Sequence, residues 1–447
     1  MNSEATPYRR AVIHLIEIRS FLRKARSAFF RAEFSCRFRY PGSPYVQFPP
    51  VASKASGLGP MLDQATYLRT AVLGLLAVLS SGCGGGTPPS TPMSACKPAS
   101  SAGFAYVLNG SSTDTVSIFT VNSCTGDLTP ATPAMVATGA NSFGSEQMVV
   151  DPAGRFAYVA NLMSNASDQA TISMFTINSS TGVLTPTTPA TVPTGFFPQG
   201  IGIDPSGKFV YTANSDDNTV SMFTSNASTG VLAPTTPAAV AAGWSPVSVT
   251  VHPSGKFAYV SNQDDGTVSM YSINGSTGVL TPLSPATVPS GGSPFDVAVD
   301  PAGKFAYVPN AYDVRNAVSQ YTVDFVTGVL TPNTPSIAIA GNSPASVAVD
   351  PSSKFAYVVN RMDNTVSMFT IDSGSGNLIP NTPATIATGA QPFRIVVDPS
   401  GKFAYVVNEN SASVSIYNLN KDGTLTAAGT VVTGNAPVSV VVIGTKQ

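Results

Sequence analysis

Ionisable side chains are scarce in this chain, since only 11% of its 447 residues are charged and only two are histidines. No group of Cys and His has the spacing of a zinc site, and no Gly-rich loop precedes a helix that would hold a phosphate. No Ser, His and Asp set forms a nucleophilic triad. We therefore expect no metal and no cofactor, and any chemistry has to come from a few charged residues.

The charges that exist are unevenly distributed. Residues 1–60 carry ten Lys or Arg and three Glu, whereas the chain from Gly84 onward carries twelve basic and twenty acidic residues. An acidic body argues against a nucleic-acid partner, because phosphate backbones are bound by basic surfaces. The same part is rich in Ser, Thr, Asn, Gly and Pro, a composition that favours strands and turns over helices.

Long apolar runs are also missing. The apolar run at 71–79 is too short to cross a bilayer, which takes about 20 residues. With Arg69 before it and small residues after it, the run is typical of a signal peptide, which we place at 61–82. The end of the run, Leu79-Ser80-Ser81-Gly82-Cys83, resembles a lipobox, which implies that Cys83 is lipidated; a plain secreted protein is the alternative.

The position of this signal peptide predicts the organisation of the N-terminal part. We interpret residues 1–60 as an upstream extension that is not native, with Met61 as the initiator, and residues 83–101 as a lipid-anchored, flexible tether. The protein would then lie in the cell envelope and meet the membrane only through its anchor. In such an oxidising compartment Cys96 and Cys124 would be able to pair, although free thiols remain an alternative.

The rest of the chain is a repeat. Seven copies of a motif like Asp398-Pro-Ser-Gly-Lys-Phe-Ala-Tyr-Val-Val-Asn408 place a Phe at 104, 156, 209, 257, 305, 355 and 403, with spacings of 48 to 53 residues. A period near fifty that is built of short strands is typical of propeller blades. We therefore predict one all-β domain at 102–447, a monomeric seven-bladed β-propeller.

Each copy predicts four antiparallel strands. In the copy that starts at Ser343, residues 344–350 form a small-residue inner strand, residues 355–360 and 365–371 form the next two strands, and the Pro-rich residues 380–386 form the outer edge. The first copy lacks its own inner strand, and a spare one, 437–443, stands at the C-terminus. It is predicted to complete blade 1 and close the ring.

These motifs carry a family resemblance. Tyr259-Val-Ser-Asn262, the Asp-Pro-Ser-Gly-Lys-Phe turn and the Thr-Gly-Val-Leu-Thr-Pro segment resemble the YVTN and 6-phosphogluconolactonase-type lactonase propellers over residues 101–443. The resemblance implies hydrolysis of sugar lactones, and related propellers use His, Arg and Glu. Here His252 occupies the turn position that other copies give to Asp, which favours a turn role.

Function is expected where the copies differ, at the channel mouth. Aligned copies place Gln147, Gly200, Ser248, Asp296, Ser346, Arg394 and Ser439 in one ring, of which Asp296 and Arg394 are charged. The preferred hypothesis is a module that binds carbohydrate or protein through Arg394, Asp296, Trp244, Phe393, Arg361 and Tyr312. The alternative is a lactone hydrolase in which Arg394 holds the oxyanion and Asp296 or Glu146 activates water. In a third interpretation, Asp296 and Arg394 merely pair and the aromatic residues plug the channel.

Acidic residues also recur in the turns between second and third strands, at 114, 168, 216, 217, 264, 265, 313 and 363. They are spread over the blades, whereas calcium needs six to eight converging oxygens. Capping of turns is the favoured interpretation.

Overall fold

The computed structural model describes residues 103–110, 114–138, 145–162 and 170–444, which form strands and turns without any helix. The chain divides into two units, Met1–Ser90 and Thr91–Gln447, and all described residues belong to the second. Within these ranges no helix is long and apolar enough to span a membrane. The predicted extension, signal peptide and tether lie outside the described residues and stay predictions.

The strands of the first half of the chain are β1 (Gly103–Asn109), β2 (Thr115–Val121), β3 (Leu128–Ala137), β4 (Ser145–Val150), β5 (Phe156–Asn161), β6 (Thr171–Ile177), β7 (Leu184–Pro193), β8 (Pro198–Ile203), β9 (Phe209–Asn214), β10 (Thr219–Ser225), β11 (Leu232–Ala241), β12 (Pro246–Val251), β13 (Phe257–Asn262) and β14 (Thr267–Ile273). Those of the second half are β15 (Leu280–Pro289), β16 (Ala298–Val299), β17 (Phe305–Pro309), β18 (Ala317–Val323), β19 (Leu330–Ile339), β20 (Pro344–Val349), β21 (Phe355–Asn360), β22 (Thr365–Ile371), β23 (Leu378–Ala387), β24 (Pro392–Val397), β25 (Phe403–Asn408), β26 (Ser413–Leu419), β27 (Leu425–Val432) and β28 (Pro437–Ile443).

These strands form seven four-stranded antiparallel sheets. Blade 1 has the order β28-β1-β2-β3, and blades 2 to 7 follow as consecutive groups of four from β4 to β27. The predicted propeller of seven four-stranded blades is confirmed. In each blade the inner strand runs away from one end of the channel, so both the connections into inner strands and the second-to-third turns lie at that end, the mouth face.

The C-terminal strand closes the ring as predicted. β28 pairs antiparallel with β1, with Val440 opposite Val107 and Ile443 opposite Phe104. Val438, Val440 and Val442 are buried there against the core. Blade 1 is therefore assembled from the two ends of the propeller sequence, and neither end leaves an open inner edge.

The repeated turn at the opposite end is held by its Asp. In the last copy, one Asp398 oxygen accepts hydrogen bonds from the backbone N–H groups of Lys402 at 2.9 Å and Phe403 at 2.8 Å. The other oxygen accepts the Ser400 N–H at 3.0 Å. Gly401 has φ of +70°, which glycine tolerates better than other residues. The Asp-Pro-Ser-Gly-Lys-Phe motif thus serves the turn.

The Phe and Tyr side chains of each repeat contact the next blade. The Tyr405 hydroxyl donates to the Gly126 carbonyl oxygen at 2.9 Å, and the Phe403 ring fills the space where a Gly126 Cβ would lie. The same tyrosine-to-glycine bond joins Tyr106 to Gly182, Tyr158 to Gly230, Tyr211 to Gly278, Tyr259 to Gly328, Tyr307 to Gly376 and Tyr357 to Gly423. We call each such Tyr–Gly hydrogen bond, with the Phe ring beside it, a latch. Seven equivalent latches link each blade to the next, including blade 7 to blade 1.

The core lies between neighbouring blades. Between blades 6 and 7, for example, Tyr357 and Met368 of one sheet pack with Ile395 and Tyr417 of the other, and all four are buried. Small and β-branched residues on the inner strands allow the sheets to converge on the axis. The apolar packing and the latches fix the inner strands, which carry the mouth residues.

Candidate functional site at the channel mouth

The inner strands present equivalent residues around the channel mouth. In most blades a β-bulge follows the first pair of the inner strand, so that Gln147 lies opposite Ala160, Ser346 opposite Val359 and Arg394 opposite Val407. Six residues of the predicted ring, namely Gln147, Gly200, Ser248, Ser346, Arg394 and Ser439, occupy this position, and Asp296 lies in the segment between the Pro294–Asn310 bridge and β16. The ring is thus a structural level of the channel, set by register.

Side chains of the ring bond from blade to blade. The Gln147 Oε1 accepts the Ile201 N–H at 3.1 Å, and the Ser439 Oγ accepts the Met148 N–H at 3.4 Å. Gly200 is required by close approach, because a Cβ there would lie 2.7 Å from the Ser248 Cα. Most of this ring therefore holds the inner strands together and leaves its charged members as the exceptions.

Asp296 is fully engaged by its neighbours. Its Oδ1 accepts the Ser248 hydroxyl and the Val297 N–H, both at 3.0 Å, and its Oδ2 accepts the Ser346 hydroxyl at 3.1 Å. The side chain is buried, and Arg394 Nη1 lies 3.7 Å from Oδ2. Both oxygens of this carboxylate are therefore occupied by hydrogen bonds, and two of the three donors come from the blades on either side.

Arg394 keeps unused donors. Its one ion pair, with Asp296, is longer than a hydrogen bond, and its Nε is buried without a partner among the described residues. A buried guanidinium donor without an acceptor is costly, so it is normally matched to something that binds there. The arrangement fits an oxygen atom held in the channel mouth.

A second arginine comes from the β21–β22 connection. Arg361 pairs through Nη2 with the Glu409 carboxylate, and its guanidinium lies 4.6 Å above the centroid of the Phe393 ring. Phe393 is itself buried and makes an edge-to-face contact with Phe295 at 5.6 Å. Phe393, expected to offer its face to a ligand, instead has that face covered by Arg361 and supports it.

Glu146 lies at the bulge of β4, beside the ring. It is half-buried. Burial, and then the Glu409 charge, raise the pKa of the carboxyl to about 7, while Arg361 and Arg394 act in the opposite direction. Glu146, Arg361, Arg394 and Glu409 thus form one electrostatic group, contributed by blades 2, 6 and 7.

The sequence contained the signal that singles out Glu146. The six residues at the same bulge position in the other copies are Gln199, Val247, Phe295, Ala345, Phe393 and Val438. Glu146 is therefore the one carboxylate at this position of the repeat. Glu146 was already a predicted candidate base beside Asp296, and the comparison of copies at its own position gives a separate reason to single it out.

Aromatic residues line the outer rim. Trp244 is 60% exposed and Tyr312 is 55% exposed, both on connections of the mouth face. Tyr312 borders a surface cavity of about 680 Å³ with Asp313, Asn342 and Met362. These exposed rings are available for contact with a ligand at the rim.

The turn aspartates cap connections of the mouth face. Asp217 accepts the Phe196 N–H at 2.7 Å, Asp265 the Trp244 N–H at 2.6 Å and Asp363 the Asn342 N–H at 2.7 Å. Among the described residues no three His, Cys, Asp or Glu side chains converge as a metal site would require. These hydrogen bonds are those of turn capping.

His252 lies at the other end of the channel. It is buried, its Nδ1 accepts the Ser254 N–H at 3.0 Å, and its Nε2 lies 2.9 Å from the Gly303 carbonyl oxygen. Because a carbonyl only accepts, the proton is assigned to Nε2. His252 takes the place of the turn Asp and is remote from the mouth.

Two cysteine predictions reach the edge of the described residues. Cys124 is disulfide-bonded, but its partner lies outside them. The pairing with Cys96 therefore stays a prediction, as does lipidation of Cys83.

Comparisons with known proteins agree with the fold. Three solved structures each cover 77% of this chain: a candidate 6-phosphogluconolactonase from Bacteroides fragilis (TM-score 0.62, 20% identity, 99% of that chain), another from Bacteroides uniformis (0.63, 21%, 99%), and a periplasmic gluconolactonase from Pseudomonas aeruginosa (0.60, 18%, 100%). At such identities the likeness shows the fold alone. A search of curated protein sequences finds no match.

The sequence also matches a family model. The model described as Lactonase, 7-bladed beta-propeller matches residues 98–251 and 248–442, which together cover the propeller. Its extent agrees with the seven blades and their closing strand. The chain therefore belongs to the family of seven-bladed β-propeller lactonases.

Proposed function

We propose that this propeller hydrolyses a sugar lactone at the channel mouth. The observation that carries the proposal is that Arg361 and Arg394, each paired with another carboxylate, lie close enough to act electrostatically on Glu146, so that three blades contribute to one charged group at the mouth. Lactone hydrolysis needs a base for water and a positive group for the developing oxyanion. Membership of the lactonase family supports this class of substrate.

Glu146 is the base in this proposal. Its carboxylate removes a proton from water as the water oxygen bonds to the lactone carbonyl carbon. When the tetrahedral intermediate collapses, the bond between that carbon and the ring oxygen breaks, and the ring oxygen takes the proton back from Glu146. A pKa of about 7 suits both transfers near neutral pH. Asp296, the other candidate base, has both oxygens occupied.

Arg394 holds the carbonyl oxygen. Its partnerless Nε offers a donor to an oxyanion, and its loose pairing with Asp296 positions the guanidinium without using it up. Arg361, fixed between Glu409 and the Phe393 ring, adds positive potential. Pre-positioned donors of this kind typically contribute about 10²–10³ in rate.

The test is hydrolysis of δ-gluconolactone by the purified protein, measured above the uncatalysed rate. We expect Arg394→Ala to lower kcat/KM by about 10²–10³ and Glu146→Gln by about 10²–10⁴. In the wild type, kcat/KM should rise with pH with a midpoint near 7. Arg315→Ala is the matched control, since Arg315 pairs with Asp313 on the outer rim. No hydrolysis above background, or full activity of both variants, would overturn the proposal.

Carbohydrate binding without catalysis is the second candidate. The observation that favours it is the exposure of Trp244 and Tyr312, because exposed aromatic faces suit sugar rings. A glycan array probed with wild type and with a Trp244→Ala/Tyr312→Ala double variant tests this role. Binding that the double variant loses, in a protein without lactonase activity, would replace the first proposal.

A further inference from the structure

The two ends of the propeller differ in charge. Among the described residues the mouth face carries three arginines and ten carboxylates, whereas the opposite end carries seven basic and nine acidic residues. Those of the mouth are Arg315, Arg361 and Arg394 with Asp114, Glu146, Asp216, Asp217, Asp264, Asp265, Asp296, Asp313, Asp363 and Glu409. All of the lysines among the described residues lie at the opposite end. The mouth is therefore the source of most of the negative charge of the domain.

Every arginine of the mouth face already has a carboxylate partner. Arg315 Nη2 lies 2.7 Å from Asp313 Oδ2, Arg361 pairs with Glu409, and Arg394 lies 3.7 Å from Asp296. The connecting segments 111–113, 139–144 and 163–169, which belong to blades 1 and 2 by sequence, contain no Lys, Arg or His. Each positive charge among the described residues of the mouth is thus matched by a carboxylate, and the donor that stays open, Arg394 Nε, is the one assigned to the lactone carbonyl oxygen.

The charge around the reacting position is negative in sum. Arg361 and Arg394 face Glu409, Asp296, Asp114 and Glu146, all of which act on the same channel mouth. A phosphate monoester carries a charge of about −1.5 to −2 at neutral pH, and it is normally bound by unpaired Arg, Lys or helix N-termini. Like charges within a mouth of low dielectric repel strongly.

We infer that the mouth selects lactones without a charged substituent and discriminates by charge against phosphorylated lactones. The inference rests on the proposed function and names its substrate class: a neutral aldonolactone, which needs hydrogen bonds and one polarising guanidinium but no anion site. Because the discrimination comes from carboxylates, it weakens with salt and with removal of a carboxylate that shields an arginine.

The experiment compares kcat/KM for δ-gluconolactone with that for 6-phospho-δ-gluconolactone in the full protein. Using the ratio of the two removes changes common to both, including any change in the titration of Glu146. We expect the neutral lactone to be favoured by about tenfold or more at low salt. The ratio should fall by about threefold or more at 0.5 M salt because the repulsion is screened.

Glu409→Gln sharpens the test, since it releases Arg361 from its ion pair. We expect this variant to lower the ratio by about fivefold. Asp372→Asn, an exposed carboxylate in a turn at the opposite end, should leave the ratio unchanged. A wild-type ratio of one or less, with hydrolysis intact, would overturn the inference alone. A high ratio that neither salt nor Glu409→Gln changes would show exclusion by shape and also overturn it. If neither lactone is hydrolysed, the proposed function fails and the inference with it.

Discussion

The two ends of this propeller follow different rules. At the end opposite the mouth, one turn recurs in most blades: an Asp that caps two backbone N–H groups, replaced by His252 in one copy, then a Phe, and a Tyr that reaches the next blade. At the mouth, equivalent positions hold Gln, Gly, Ser, Asp and Arg. Positions that repeat between copies are therefore those where neighbouring blades contact each other, and positions that vary are those where functional side chains can be introduced.

The largest expected effect comes from breaking the ring itself. A chain that ends at Asn435 lacks β28 and with it Val438, Val440 and Val442, which are buried. Loss of that burial alone costs about 5 kcal/mol or more, and the inner edge of blade 1 is exposed. We expect no cooperative folded state at 37 °C by circular dichroism and urea unfolding.

Point variants sharpen the same result. Val440→Asp places a charge in the packed inner strand, whereas Val432→Asp changes a side chain that is 77% exposed. Only the first should unfold the protein. A truncated chain with the melting temperature of the wild type would contradict closure through β28.

Much of the repeated end was predictable from the sequence. The Asp-Pro turn, the strand with aromatic residues two apart and the spare C-terminal strand are all local patterns, and the structure has each where the copies place it. The latch partner of each Tyr was not predictable, because Tyr106 and Gly182 are 76 residues apart and meet only through the docking of blades.

The mouth was predictable only in part. Arg394 and Asp296 follow from the alignment of copies, but their environments depend on neighbours in other blades. Arg361 and Glu409 act electrostatically on Glu146 although they lie more than 200 residues away in sequence, and no local pattern encodes that proximity. Phe393 was predicted to bind a ligand, yet the Arg361 guanidinium lies over its ring. The repeat determines where each backbone position lies, whereas the contacts of a mouth residue depend on the variable side chains of neighbouring blades.

The next effect tests the glycine of a latch. Gly126 has φ of +75°, and a Cβ there would lie 2.5 Å from the Phe403 ring. We expect Gly126→Ala to lower the free energy of unfolding by about 2–4 kcal/mol, from backbone strain and crowding together. Gly429→Ala is the matched control, because no atom lies within 4 Å of its Cβ position. Equal urea midpoints for the two variants would contradict the latch.

The third prediction concerns the pH dependence of stability that Glu146 contributes at the mouth. Burial raises the pKa of Glu146 from 4.5 to about 7, so the folded state holds this proton more tightly than the unfolded state. Stability from this group is complete below pH 4.5 and is lost as pH rises to about 7, by an amount on the order of 3 kcal/mol. We expect Glu146→Gln to remove this decline, measured as the free energy of unfolding at pH 5 and pH 8.

Asp372→Asn is the control for that titration. Hydrogen bonds from Ser375 lower the pKa of Asp372, so its contribution changes below pH 4 and not in the neutral range. A wild type that gains stability between pH 5 and pH 8 relative to Glu146→Gln would contradict the burial of this carboxyl at the mouth.

The smallest effect asks whether all seven joints of the ring are equivalent. Tyr405 crosses from blade 7 to blade 1 to reach Gly126, 279 residues away in sequence, whereas Tyr211 reaches Gly278 in the next blade along the chain, 67 residues away. Either Tyr→Phe change removes one buried hydrogen bond and leaves a carbonyl unpaired, which costs about 1–2 kcal/mol. Tyr312→Phe, at an exposed ring, should cost nothing measurable. If Tyr405→Phe and Tyr211→Phe lose the same free energy in urea unfolding, the joint between the chain ends is as firm as a joint within the chain. A markedly smaller loss at Tyr405 would mean that the ring opens first between blades 7 and 1. The latches would then be equivalent only between blades that are consecutive in sequence.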